Sequence, residues 1–271
     1  MLARFPGART AKVKVAEPGQ SLADDVARVT AVRALAEIGD EKAAPALRRM
    51  LRTPDLEPAL LLELVEALGA VGARSSTDVM IELLSHPWPP VRGAALRGLA
   101  RLDAELFVLV LSGLQPDSQW QVRADLANAL AFVDPDVGAF RLTLMLDDED
   151  RRVIPAVLRS LVTLRAPNAV DVLLTQLSDG DVVVRKTAAT LLGELEVRRA
   201  VEALATAYRD AAGDPSYLAR AAVVDALARW AARQRTACPS IVGENSRIAP
   251  HPPFLGSQTS CLAYLFARLE C

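Results

Sequence analysis

The chain has 271 residues, 51% of them hydrophobic but only 4% aromatic, with a net charge of -2 and an isoelectric point near 5.8. A balance this close to neutral excludes a global attraction to nucleic acid or to an anionic membrane. The longest strongly apolar run, Leu106 to Leu111, is far too short to span a bilayer, and the opening residues lack the apolar centre of a secretion signal, so a cytoplasmic protein is the default expectation.

Residues 1–20 contain Pro6-Gly7 and Pro18-Gly19 and no helical period, and read as an extended leader. The first predicted helix runs from about Asp24 to Ile38. It matches the second helix of the pairs that follow and has no first helix before it, so the chain reads as starting inside a longer array. Helix pairs are then predicted at 41–52 with 57–71, 75–85 with 90–102, and 104–114 with 120–133. Three more follow at 137–146 with 151–164, 167–178 with 182–195, and 198–212 with 216–232. Each rests on apolar residues at i, i+3, i+4 and i+7, as in Val170, Leu173, Leu174 and Leu177. Pro155 falls in the first turn of its helix, where a missing N–H is tolerated. Beyond residue 234 the composition turns to Pro, Ser, Gly and Cys and the period is lost. Residues 235–271 read as an irregular tail, disordered or translated out of frame.

Aligning the second helices on one slot gives Arg28, Leu61, Arg92, Arg123, Ile154, Arg185 and Arg220, at spacings of 33, 31, 31, 31, 31 and 35. A period this regular marks residues 21–234 as an all-α superhelix, a solenoid of about six and a half helical hairpins. Leu35, Leu68, Leu99, Leu130, Leu161, Leu192 and Leu227, seven residues past the slot, are its expected continuous core. Six residues before the slot stand Asp55, Asp117, Asp148, Asp179 and Asp214, and four before it Asp24, Glu57, Asp150 and Asp181. Carboxylates there can cap the second helix and meet its positive end. An arginine inside that helix can also reach a carboxylate of a neighbouring turn. Arg28, Arg92, Arg123, Arg185 and Arg220 with Asp117, Asp148 and Asp179 therefore read as a structural ladder rather than a phosphate track, broken at Leu61 and Ile154.

The run Leu177-Ser178-Asp179-Gly180-Asp181, then Val184-Arg185, Ala188-Ala189, Leu192-Gly193 and Leu195, resembles the HEAT-like repeat of the short bacterial type named after phycobilisome lyases. The resemblance covers about residues 21–234 and implies the fold. Its functional implication is broader, because such arrays serve as scaffolds, lyases and DNA-repair modules. It also implies that second helices line a concave face. The slots five and nine past the arginine then bring together Arg97, Arg101, Asn128, Phe132 and Arg159, a basic patch around one aromatic ring, flanked by Glu66 and Glu194. That combination suits an acidic or extended peptide.

Other chemistry is thinly represented. Cys238, His251, Cys261 and Cys271 are separated by 12, 9 and 9 residues with no C-x-x-C pair, so neither zinc nor another cofactor is expected. No phosphate-binding loop, nucleophile elbow, dinucleotide fingerprint or His-Glu dipeptide occurs, and no catalytic residue is nominated. Trp88 and Trp120 read as turn packing and His86 as a variant cap. The expected function is a non-enzymatic scaffold binding a protein or peptide on its concave face. Two alternatives stay open: the regulatory array of a longer enzyme, for example a cyclophilin-type prolyl isomerase, or a HEAT-like lyase or DNA glycosylase. The array's net -5 argues against the glycosylase.

Overall fold

A computed structural model describes residues 22–214 and 216–237, and the side chains of 26–214 and 216–233. The leader at 1–20 and the tail beyond Ala237 lie outside the described residues, as do Cys238, His251, Cys261 and Cys271. Within them the regular structure is helical throughout. Two compact units divide the chain between Ala169 and Val170.

In the first unit, α1 (Leu22–Ile38) is followed by the pairs α2 (Ala44–Leu51) and α3 (Pro58–Ala70), α4 (Thr77–Leu83) and α5 (Pro89–Leu102), α6 (Ala104–Gly113) and α7 (Trp120–Ala129), and α8 (Pro135–Leu144) and α9 (Ile154–Thr163). Second helices pack in sequence, α1 on α3, α3 on α5, α5 on α7 and α7 on α9, while α2, α4 and α8 lie against their own partners and α6 lies against α5. The second unit repeats the plan with α10 (Ala169–Gln176), α11 (Val182–Leu195), α12 (Ala200–Asp210) and α13 (Leu218–Ala237), α11 packing on α13. The last helix runs past the predicted end at 232 and takes in the first three residues assigned to the tail. At α9 the helix begins at Ile154 rather than 151, with Pro155 in its first turn. A helix begun earlier would need an N–H that proline lacks.

Six of the seven slot leucines, Leu68, Leu99, Leu130, Leu161, Leu192 and Leu227, are at most 4% exposed. Only Leu35, on α1, is half-buried. Small residues let the second helices close up. A Cβ added to Gly69 would lie 2.8 Å from the Cα of Gly98, and one added to Gly193 would lie 2.7 Å from the Cα of Ala226.

Candidate functional site

The turns between paired helices set the register of everything on the second helices. Asp117 accepts the N–H of Gln119 at 2.9 Å, Asp148 that of Asp150 at 2.8 Å and Asp179 that of Asp181 at 2.7 Å. Glu57 and Asp181 cap α3 and α11 directly, each accepting from two backbone N–H groups of the first turn. His86 stands where aspartate stands elsewhere, and its Nδ1 accepts the N–H of Trp88 at 3.1 Å.

Asp117 and Asp148 also receive arginines from the preceding hairpin. Arg92 donates through Nε and Nη2 to Asp117 at 2.6 and 2.8 Å, and through Nη1 to the His86 and Pro87 carbonyls. Arg123 repeats this on Asp148 at 2.7 and 2.9 Å, and on the Asp117 and Ser118 carbonyls. In the second unit Arg185 bonds to Asp214 and to the Asp179 and Gly180 carbonyls. The hydrogen bond from Arg92 holds the Asp117 carboxyl below its ordinary range. Burial pushes Asp148 the other way, yet the bonds from Arg123 and the Asp150 backbone prevail and hold it low as well. Ile154 fills its slot fully buried and Leu61 half-buried. Arg28 lies half-buried on α1. Arg220 differs from the other rungs: its guanidinium lies 4.5 Å from the centroid of the Tyr208 ring and pairs with no carboxylate among the described residues.

The five residues nominated for partner binding lie on α5, on α7 and the short turn after it, and on α9. They do not share one environment. In the slot nine past the arginine, Glu37, Ala70, Arg101, Phe132, Thr163, Glu194 and Arg229 are all exposed. There the Arg101 guanidinium sits 4.9 Å from the centroid of the Phe132 ring, itself 46% exposed. In the slot five past it, Arg159 is exposed and has no ion pair among the described residues, and Asn128 is half-buried. Arg97 departs from the expected patch. It is clamped between Glu66 and Asp125, its side chain 21% exposed, so its charge is already compensated. Burial works against its protonated state, but Asp125 and Glu66 outweigh that and raise its pKa. Asp125 lies two residues past the arginine slot of the next repeat, a neighbour the row-by-row reading did not weigh. Arg101, Phe132, Asn128 and Arg159 remain as groups able to meet a partner.

A groove of about 390 Å³ also opens between the C-terminal ends of α6 and α8. Leu111, Leu114, Leu126, Leu144 and Met145 line it, with the Arg123–Asp148 rung on its wall. An exposed stripe on α8, Val137, Phe140 and Leu144, runs up to it. The sequence carried that signal as an apolar i, i+3, i+7 spacing. That spacing fits a core face, and the exposure of the stripe shows that nothing among the described residues packs over it. Among the described residues no group of three or more His, Cys, Asp or Glu is placed to hold a metal ion, and no helix is long and apolar enough to cross a membrane.

A family model described as HEAT repeats matches residues 19–100, 55–131 and 138–213. Among curated proteins, an o-succinylbenzoate synthase of Mycolicibacterium smegmatis is 94% identical over 33 residues, which are 12% of this chain and 10% of that protein. The o-succinylbenzoate synthase of Mycobacterium tuberculosis is 35% identical over 163 residues, 50% of each. The chain thus spans between 10% and 50% of the length of these curated relatives. Among solved structures, the complex of CpcE and CpcF of phycocyanin lyase from Nostoc sp. PCC7120 aligns over 99% of both chains with a TM-score of 0.47 and 20% identity. Human deoxyhypusine hydroxylase aligns over 79% of this chain and 82% of its own with a TM-score of 0.34 and 20% identity.

Proposed function

The chain belongs to the HEAT-repeat family, and from that premise we propose that it is a non-enzymatic interaction module whose second-helix face binds an acidic, extended segment of a partner protein. We take this face as the concave one. The observation that carries the reading is the exposed Arg101–Phe132 stack, with Arg159, a cation with no ion pair among the described residues, on the helix α9 that packs against the turn carrying Phe132. An exposed aromatic held by a guanidinium offers apolar area at little entropic cost, and the neighbouring charge selects for carboxylates. Arg97 takes no direct part, because releasing it from Glu66 and Asp125 would leave two carboxylates unpaired.

The test is titration of fluorescein-labelled acidic twelve-residue peptides, each with one central leucine, into the full chain. Phe132→Ala, Arg101→Ala and Arg159→Ala are each expected to weaken the tightest binder by roughly five- to thirty-fold, about 1–2 kcal/mol. Melting temperature should stay within a few degrees. Affinity unchanged in all three variants would overturn the reading. Since the curated relatives are o-succinylbenzoate synthases, that reaction assayed on the full chain is the check on the non-enzymatic part. Turnover there would overturn it.

A further inference from the structure

We propose that the outer flank of α13 docks a partner protein's helix led in by a turn aspartate, with Arg220 taking the incoming carboxylate. The starting point is a difference between one rung and the other three. Arg92, Arg123 and Arg185 each donate to carbonyls of their own turn and to an aspartate of the following hairpin. Arg220 has the ring of Tyr208 on one side, no ion pair among the described residues, and a buried Nε without a hydrogen-bond partner. The hydroxyl of Tyr208, a residue 7% exposed, is likewise buried without a partner. Buried donors left unmade are costly, so this corner is incomplete as it stands and what completes it is an acceptor. The other rungs identify that acceptor. Asp117 and Asp148 each take the arginine while also accepting the N–H two residues on, in the turn that leads into a helix.

Packing points the same way by an independent route. Four residues past the slot, Val32, Val65, Leu96, Ala127 and Ala189 are 0–2% exposed, and each lies on a helix with the following second helix packed against it. Val224, in that slot on α13, is only half-buried. Eight past the slot, Gly69, Ala100 and Gly193 are buried and Ala36, Ala131 and Val162 half-buried, and both glycines closely approach the backbone of the next helix, whereas Ala228 is exposed. Arg220, Val224 and Ala228 fall at i, i+4 and i+8 and so form one stripe, a cation at one end and small apolar residues along it. Its complement is a helix led in by a turn aspartate that shows small or aliphatic residues behind it. A second copy adding its α1 would not supply that group, because Leu22 stands six residues before Arg28.

The probe is a fluorescein-labelled peptide of residues 117–133 of this chain, which begins on Asp117 and corresponds to the helix that follows the Arg92 rung. Titrated into the full chain, it is expected to bind saturably. Affinity should fall about ten-fold or more with Arg220→Gln or Ala228→Glu in the protein, or with Asp117→Asn in the peptide. No saturation by about 1 mM, or an affinity indifferent to Arg220→Gln, would overturn the proposal. A photo-crosslinking residue at position 228 of the full chain provides the second measurement. Cross-linking to the peptide supports the assignment. A cross-link to residues 238–271 of the same chain, or to a second copy, gives the face another occupant and overturns it.

Discussion

Arg123 ties three stretches of chain together with one guanidinium: the turn before α7, the helix it belongs to, and Asp148 in the next hairpin. Its side chain is 11% exposed and that of Asp148 only 9%, so the pair is shielded from the solvent and salt that make surface ion pairs nearly worthless. Removing one partner leaves a buried charge without compensation. Arg123→Ala is therefore expected to cost roughly 3 kcal/mol, read as a drop in melting temperature or denaturation midpoint. Peptide binding at Arg101 and Phe132 should survive in whatever protein remains folded. A variant that keeps its stability but loses the peptide would show the arginine row to be a binding site. The same pair fixes the acid limb of stability. Asp117 and Asp148 have folded pKa values below the ordinary carboxylate value. Their contribution is complete above the unfolded value near pH 4 and disappears as pH falls through the folded values. Melting temperature should thus decline below about pH 4, and Arg123→Ala should flatten that decline. Asp150, held at about 2 chiefly by the hydrogen bond from Arg152, should titrate last of the group.

Helix against helix, the deciding feature is how small the touching residues are. Gly193 lies on α11 where a Cβ would come within 2.7 Å of both the Cα and the Cβ of Ala226 on α13. Alanine is the better helix former by about 1 kcal/mol, but overpacking against a backbone costs roughly 1–3 kcal/mol, so the clash wins. Gly193→Ala should lower the melting temperature. Gly113→Ala, at the end of α6 with nothing within 4 Å, should leave it unchanged or raise it slightly. Calorimetry on the two variants checks this: a lowered melting temperature at Gly193 and none at Gly113 is expected, and no loss at Gly193 would overturn the account. Most of this level was legible in the residues. The 31-residue period and the leucine slot located the hairpins, and α11 runs from Val182 to Leu195, the span its apolar pattern predicts. The candidate site was less legible, for a geometric reason. Alignment by slot shows which residues occupy equivalent positions, not which neighbour each side chain bends toward. Arg97 and Arg159 share a slot, yet one is held by Glu66 and Asp125 and the other stands free of ion pairs among the described residues. The stripe Val137, Phe140 and Leu144 went unnoticed for a different reason, since apolar periodicity does not say whether anything covers the face.

Over the whole molecule, stability follows from repetition. In a stack of hairpins each unit contacts only its neighbours, so the total is close to a sum of local terms and damage stays where it is made. Each of the two units has its own buried leucines, Leu68, Leu99, Leu130 and Leu161 in the first, Leu192 and Leu227 in the second. Leu130 is 1% exposed in the short turn that ends α7, and replacing it by alanine removes about 2–5 kcal/mol of packing. A globular domain would share that loss across all of its amides. Here Leu130→Ala should speed hydrogen exchange in α7 and in α8 and α9 around it, reach α5 less, and leave the protected amides of α11 and α13 at their original rates. Exchange followed by mass spectrometry at peptide resolution separates the two cases. A uniform acceleration across both units would mean that they unfold as one body, and the local account of stability would fall with it.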